Sequence, residues 1–337
     1  MESGLDVACY GEILWDFYEA VPKDKEAISR TFKREIGGAT ANVAVTLARL
    51  GLKAGVVGGI GDEKLGQSLA AQLAEEGVDV SSLITVKAPT GIAFITHNAT
   101  GDASYIPYRN GSAELKVAPA DITPAMGKAR YAVVSTTSMM PSLRAATEAF
   151  LAAAEKAKAV IVVDLNVRAH LWGDPDEMQK GVKELVARGA LIKASERDLN
   201  QLAGKRGLTW LDENAKHATW ILTRGENGAA CVGAHGQVNA PTKRVRCLDR
   251  SGAGDAFVGG VLAVLAKSDA TPDSAVWKDG KLWTKAMEIG HVLGAKSVAK
   301  IGATTGLTAL DDVKARLDAA AAAESGAPKK KAASKKG

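Results

Sequence analysis

Short apolar runs alternate along this chain with longer segments in which apolar residues recur at the spacing of an amphipathic helix. The apolar runs predict strands at Val7–Glu12, Ala54–Gly58, Tyr131–Ser135, Ala159–Asp164, Ala190–Lys193 and Thr219–Thr223. The helical segments predict helices at Ala39–Leu50, Lys64–Glu76, Leu143–Lys156, Met178–Arg188, Glu196–Leu202, Ala256–Leu265, Trp283–Ala299 and Leu310–Ala323. This alternation predicts an α/β fold in which a doubly wound, mostly parallel sheet carries helices on both faces. Sheets of this kind bind ligands at the carboxyl ends of their strands, where we therefore expect the functional residues.

Two stretches interrupt the alternation of strand and helix. Residues 17–36 are polar and charged, and within residues 90–112 the segments Gly91–Asn98 and Ala103–Tyr108 flank Ala99–Asp102 as in a hairpin. Together the two stretches predict a small β sheet outside the main one. Such a sheet could cover an active site as a lid or be an ordinary surface excursion, and periodicity does not decide between them.

Composition narrows the class of protein. Glycine is enriched at 35 residues and aromatic residues make up only 5%, which favours a glycine-punctuated α/β enzyme over a β sandwich. No apolar run approaches the roughly 20 residues that span a bilayer, and no secretory signal is readable. Cys9, Cys231 and Cys247 form no C-x-x-C pair, so a disulfide framework is not expected and a reducing cytoplasm fits best. The patterns of P-loop enzymes, zinc hydrolases and serine hydrolases are absent from the sequence.

The net charge of +5 belongs to the end of the chain. Five of the 43 lysines and arginines lie in residues 329–337, and without them the basic residues equal the 38 acidic ones. We predict that residues 1–323 form one domain and that residues 324–337 form a disordered, Lys-rich tail. The tail would be solvated, or would contact nucleic acid weakly and in a salt-sensitive way.

The most informative segment is residues 249–255, which read D-R-S-G-A-G-D before an apolar helical run. The small residues Gly252, Ala253 and Gly254 would leave the backbone N–H groups of a helix N-terminus open to a phosphoryl oxyanion. Asp255 would then lie in the first turn, where its carboxylate can accept the proton of an attacking hydroxyl. The structural alternative is an ordinary capped helix with glycine for close packing.

The same segment resembles the D-T-T-G-A-G-D signature of the ribokinase-type (pfkB) carbohydrate kinases. Three further segments resemble other patterns of that family in chain order. Residues 37–51 are similar to G-G-x-x-x-N-x-A-x-x-L-A-x-L-G, residues 58–66 to G-x-x-G-x-D-x-x-G, and residues 223–229 to the T-x-G-x-x-G loop of the nucleotide site. The resemblance runs from about Val7 to about Leu310 and implies a ribokinase-like fold.

The resemblance also implies site residues. Asp255 would be the general base, the backbone of Gly252–Gly254 the anion hole, and Arg168 would face the transferred phosphate. The sugar-binding residues would be Asp16, Gly38, Asn42 and Arg109. The nucleotide pocket would be shaped by Thr223, Gly225 and Gly228.

Two stretches bear on the substrate. Residues 108–113 resemble the Y-R-x-x-S-A segment of fructokinases and 2-keto-3-deoxygluconate kinases, and residues 164–172 resemble the fructokinase run D-P-N-L-R-x-x-L-W. These matches imply a kinase that uses Mg²⁺ and ATP to phosphorylate a hydroxyl of a free sugar, with fructose favoured. Arg109 could instead bind the carboxylate of an acidic keto-sugar, so 2-keto-3-deoxygluconate kinase stays open. A non-catalytic regulatory protein that binds sugar or nucleotide, and a homodimer formed through the lid, also stay open.

The sequence departs from the family pattern at two places. The usual N-x-x-E, which organises water around Mg²⁺, is Ser195 to Asp198 here, so Asp198 is expected to act on the metal indirectly through water. The usual D-T-T is Asp249-Arg250-Ser251. Asp249 is a candidate ligand of a monovalent cation such as K⁺. Because Arg250 stands where threonine is usual, the preferred nucleotide is left open.

Overall fold

A computed structural model describes residues 4–20, 31–97 and 103–324. The predicted tail beyond residue 324 lies outside these residues, as do parts of the predicted lid, residues 21–30 and 98–102. The described residues form strands β1 Leu5–Tyr10, β2 Leu14–Glu19, β3 Phe32–Gly37, β4 Ala54–Gly61, β5 Leu83–Val86, β6 Ile92–His97, β7 Ala103–Tyr108, β8 Ala129–Ser135, β9 Val160–Asp164, β10 Leu191–Ser195, β11 Thr219–Thr223, β12 Ala229–Gly233 and β13 Gly236–Ala240. They form α-helices α1 Ala39–Arg49, α2 Lys64–Glu75, α3 Arg144–Lys156, α4 Pro175–Arg188, α5 Glu196–Ala203, α6 Gly207–Ala215, α7 Ala253–Lys267, α8 Gly280–Ser297 and α9 Asp311–Glu324.

Nine of the strands form one large sheet in the order β13-β12-β11-β10-β9-β8-β1-β4-β5. Neighbouring strands are parallel from β5 through β11, whereas the pairs β11–β12 and β12–β13 are antiparallel, so β12 runs against the other eight strands. The chain leaves β1 for β4 on one side and later returns to β8 on the other, so the strand order reverses at β1. The carboxyl end of β1 is therefore the point at which such a sheet opens a binding crevice.

Alternate residues of the central strands enter two separate cores. Val7 and Cys9 of β1 pack with residues of α1, α2, α7, α8 and α9, whereas Ala8 and Tyr10 pack with residues of α3, α4, α5 and α6. Buried parallel strands covered by helices on both faces produce this division, because successive side chains point to opposite sides. The predicted doubly wound α/β fold is confirmed. No helix of the described segments is both long and apolar enough to cross a membrane.

The second sheet comes from the two stretches that interrupt the alternation of strand and helix. Its order is β3-β2-β6-β7, with β2 and β6 parallel and the outer pairs antiparallel. Its inner face packs Leu14, Tyr18, Ala93 and Ile95 against Ile301. We call this sheet the lid sheet; it lies beside the carboxyl end of β1, because β2 follows β1 after only a short turn.

Candidate active site

Helix α7 begins where the sequence places the anion-binding segment. Gly252, the residue before the helix, has a φ of 70°, and a Cβ added there would lie 2.4 Å from the carbonyl oxygen of Ala303. Only glycine fits this left-handed, crowded position. The first N–H groups of a helix have no partner within it. Among the described residues, the N–H of Ala253 makes only a long bond of 3.4 Å, to the carbonyl oxygen of Arg250, so this helix start suits an anion.

Asp255 lies in the first turn of α7 and is buried, with 8% of its surface exposed. Its Oδ2 accepts a hydrogen bond of 2.8 Å from the Asn42 amide, whose own buried Oδ1 has no partner within the described structure. Burial, and then the charge of Asp164, raise the pKa of Asp255 to about 6, against the opposing effects of Asn42, Lys193 and Arg168. A carboxylate with this pKa is ionised at neutral pH yet basic enough to accept a proton.

Asp16 of β2 carries a second buried carboxylate, with 6% of the residue exposed. Burial, followed by the charges of Glu12 and Asp255, raises the pKa of Asp16 well above its ordinary value. Two glycines, Gly37 at the end of β3 and Gly38 before α1, allow the chain to pack closely here. A Cβ at Gly37 would lie 2.5 Å from the Asp16 carboxyl carbon, and one at Gly38 would lie 2.1 Å from the carbonyl oxygen of Glu12.

Arg109, at the end of β7, is held by two carboxylates. Its Nη1 donates to Glu12 at 2.8 Å and its Nε donates to Glu114 at 2.9 Å, while its buried Nη2 has no partner among the described residues. The lid sheet also reaches the anion-binding segment directly, because the Tyr105 hydroxyl is hydrogen-bonded to the Ser251 hydroxyl. The lid sheet is therefore joined to the segment that precedes α7.

A buried ion pair lies behind α7. Lys193 of β10 donates from Nζ to Asp164 of β9 at 3.0 Å, and both side chains are almost fully buried. The ammonium also approaches the anion-binding backbone, because a Cβ at Gly254 would lie 3.0 Å from Nζ. Arg168 follows β9 and is hydrogen-bonded to the carbonyl oxygen of Val167, close enough for its charge to lower the pKa of Asp255.

On the other side of the α7 N-terminus is a cleft of about 710 Å³. Its lining includes Thr223, Gly225 and Gly228, which the sequence assigns to the nucleotide pocket, as well as Ala253 and Gly254. Its charged lining residues are Lys193, Arg197, Arg224, Lys243, Arg244, Arg250, Glu196 and Glu226. Cations outnumber carboxylates, and the volume suits a small-molecule ligand. The cleft is therefore suited to a polyanion that ends at the start of α7.

The carboxylate of Asp198 is engaged by protein donors. Its Oδ1 accepts from the backbone N–H of Val167 at 2.8 Å, and its Oδ2 accepts from the N–H and hydroxyl of Ser195 at 2.8 and 2.6 Å. With Ser195 it forms the capping box of α5. Glu196 is the carboxylate of this stretch that lines the cleft. Across residues 4–20, 31–97 and 103–324, no group of three or more His, Cys, Asp or Glu side chains is arranged to hold a metal ion.

Asp249 is fully buried at the base of the anion-binding segment. Its oxygens accept from the N–H groups of Ser251 and Gly302, both at 2.9 Å, and His97 of the lid sheet lies 3.5 Å from its Oδ1. Asp249 thereby ties the segment before α7 to the loop around Gly302. Its assignment to a monovalent cation, like that of Asp198 to magnesium, stays a prediction.

The structure brings most of the predicted site residues into two adjoining groups. Asp16, Gly38, Asn42, Arg109 and Asp255 belong to one cluster that includes Glu12, and Thr223, Gly225 and Gly228 line the cleft. Four residues at the site were not assigned a role from the sequence: Glu12, Tyr105, Asp164 and Lys193. Asp164 and Lys193 end predicted strands, and their position at a carboxyl end is the signal that could have identified them.

Comparison with known proteins identifies a family. Residues 5–310 match the family described as "pfkB family carbohydrate kinase". Fructokinase-1 of Oryza sativa subsp. japonica is 31% identical over 312 residues, which cover 89% of this chain and 94% of that protein.

Solved structures of kinases have the same fold. A fructokinase from Xylella fastidiosa with bound ATP superposes with a TM-score of 0.81 at 26% identity, covering 93% of this chain and 98% of that one. The aminoimidazole riboside kinase of Salmonella enterica, complexed with aminoimidazole riboside and an ATP analog, superposes with a TM-score of 0.78 at 27% identity, covering 92% of this chain and 99% of that one.

Proposed function

Because the chain belongs to the pfkB family of carbohydrate kinases, we propose that it transfers the γ-phosphoryl group of ATP to a hydroxyl of free fructose. The observation that carries this proposal is the position of Asp255. Its carboxylate accepts from Asn42 in the cluster that includes Asp16, while the backbone of the same helical turn lines the cationic cleft. This arrangement supports a base between a sugar site and a nucleotide cleft.

The proposed reaction uses both sides of α7. Asp255 accepts the proton of the attacking sugar hydroxyl as the hydroxyl oxygen bonds to phosphorus and ADP leaves. The N–H groups of Gly252–Gly254 and the charge of Arg168 stabilise the oxygens of the transferring group. The Oδ1 of Asn42, which has no partner among the described residues, and the carboxylate of Asp16 would supply acceptors for sugar hydroxyls.

Magnesium fits this arrangement as an ion carried mainly by the nucleotide. Mg²⁺ in kinase sites is bound by phosphates with only one or two carboxylates, so the cleft-lining carboxylate of Glu196, with Asp198 behind it, fits that need. The ion would neutralise phosphate charge. Thr223, Gly225 and Gly228 would shape the remainder of the nucleotide pocket.

The surroundings of Arg109 favour a neutral sugar. Glu12 and Glu114 already offset its charge, so a substrate carboxylate would have to displace one of them. This favours fructose over 2-keto-3-deoxygluconate. A purely regulatory protein is disfavoured because a binding module needs no buried base with a raised pKa.

Two further proposals concern partners. Exposed apolar side chains at Phe32, Tyr105, Ile106 and Tyr108 of the lid sheet fit a homodimer formed through this sheet. Asp249 is proposed to support a K⁺ ion beside the anion-binding segment.

The test measures ADP release from Mg-ATP with fructose, ribose, 2-keto-3-deoxygluconate, fructose 1-phosphate and aminoimidazole riboside as separate acceptors. We expect fructose to be preferred and Asp255→Asn, which keeps the shape of the side chain, to abolish turnover. If aminoimidazole riboside or 2-keto-3-deoxygluconate is preferred, that compound is the substrate instead of fructose. Turnover that survives in Asp255→Asn would remove Asp255 from the proposed role, and a wild-type chain inactive on every acceptor would favour the regulatory alternative.

A further inference from the structure

Lys193 is a buried lysine that the proposed reaction has not yet used. Lys193 is the third of the five residues of β10 and is 6% exposed, and an ammonium so buried needs a partner. Asp164 Oδ1, at 3.0 Å, is the acceptor that the described part of the chain provides. Burial lowers the pKa of Lys193, but the charges of Asp164 and Asp198 outweigh burial and raise it, so the side chain stays charged.

The ammonium points to the place where a phosphoryl group would be bound. Nζ lies 3.0 Å from the position that a Cβ on Gly254 would occupy, and Lys193 is also part of the lining of the cleft. An ammonium has three N–H donors, and the bond to Asp164 takes one of them. At least one donor can therefore turn toward the cleft beside the first N–H groups of α7.

We infer that Lys193 is a catalytic residue that donates a hydrogen bond to a non-bridging oxygen of the transferring phosphoryl group, while Asp164 holds it in place. This inference rests on the proposed kinase function and adds a residue to it. The bond between phosphorus and the oxygen of ADP breaks, the bond to the sugar oxygen forms, and the sugar proton goes to Asp255. Lys193 remains protonated throughout and stabilises charge, as fixed cations do in phosphoryl transfer.

The test compares three variants of the full chain. Lys193→Met removes the ammonium but leaves Asp164 buried and unpaired, which can unfold the protein by itself. The double variant Lys193→Met/Asp164→Asn removes both charges and keeps both shapes, so it separates catalysis from folding. Lys156→Met, an exposed lysine at the end of α3, controls for loss of one positive charge elsewhere.

Two measurements are made on each variant, after circular dichroism has shown that it is folded. The first is kcat with saturating sugar and ATP, which we expect to fall about 100-fold to 1000-fold in the double variant and to be unchanged in Lys156→Met. The second is calorimetric binding of ATP and of AMP. Loss of a charge-assisted hydrogen bond to the terminal phosphate is expected to weaken the binding of ATP about tenfold more than the binding of AMP.

Two results in a folded double variant would overturn the inference: a kcat within threefold of wild type, or an equal loss of affinity for ATP and for AMP. A purely structural lysine would behave in that way. The binding measurement needs no sugar. If wild type phosphorylates none of the acceptors, the proposed function fails, whereas the difference between ATP and AMP still reports whether Lys193 contacts the terminal phosphate.

Discussion

Replacing Asp255 with asparagine is expected to stabilise the protein while it abolishes turnover. Burial raises the pKa of Asp255 from 3.8 to about 6. At about 1.4 kcal/mol for each pH unit, holding this carboxylate ionised at neutral pH destabilises the fold by about 3 kcal/mol. Asparagine has the same shape and keeps an oxygen that can accept from Asn42, so the hydrogen bond of 2.8 Å can persist without the charge.

The sign of the pH dependence makes this prediction specific. Between about pH 4 and pH 6 the folded state binds a proton at Asp255 that the unfolded state has lost, so the contribution of Asp255 to wild-type stability falls as pH rises through this range. The asparagine variant lacks this contribution. Urea unfolding of both proteins should therefore show no difference near pH 4 and a gain for Asp255→Asn that grows to about 3 kcal/mol by pH 7. A variant that is no more stable than wild type at pH 7, or a gain that does not change with pH, would refute the reasoning.

Three other outcomes follow from the geometry of the site. Activity needs Asp255 ionised, so kcat/KM should fall below about pH 6. Asp164→Asn should move this fall to lower pH, because the charge of Asp164 raises the pKa of Asp255. A pH profile that does not move would contradict the assignment of the fall to Asp255. Gly252→Ala should reduce kcat at least 100-fold, since its Cβ would lie 2.4 Å from the Ala303 carbonyl oxygen, and wild-type turnover in this variant would count against the anion hole. For the proposed lid dimer, sedimentation should show two chains in wild type and one in Tyr108→Glu, and the same mass in both removes the lid from the interface.

Much of the fold could be predicted from the sequence because buried parallel strands are continuous apolar runs. The strand at Thr219–Thr223 has the predicted bounds, and the bounds of the other predicted strands differ by a few residues. The hairpin of β12 and β13 was not predicted, since its second strand, G-Q-V-N-A, is largely exposed and carries little apolar signal. Helix α6 was missed as well, because it begins at a glycine, Gly207, that packs against Leu199 and marks no break.

Some residues of the candidate site could likewise be predicted from the sequence and others could not. Asp255 and its glycines could be identified because the residues proposed to bind the phosphate are consecutive in the sequence. For Lys193 the end of a predicted strand was the available signal, but periodicity does not give the charged neighbour that its side chain meets from the adjacent strand. For Asp198 the local signal was in the sequence, because serine followed three residues later by an acid is a capping box, and the structure uses its carboxylate in that way.

The pairing of Lys193 with Asp164 explains how a base and several cations can coexist around one helix terminus. If Lys193 were paired directly with Asp255, its charge would lower the pKa of that carboxylate and make it a poor acceptor for a hydroxyl proton. Because Asp164 accepts from the ammonium instead, the pair is nearly neutral toward Asp255, whose pKa stays near 6 through burial. A phosphoryl group in the cleft can still meet the remaining donors of Lys193. The ion pair thus lets the same helical turn favour negative charge on the nucleotide side and keep a proton acceptor on the sugar side.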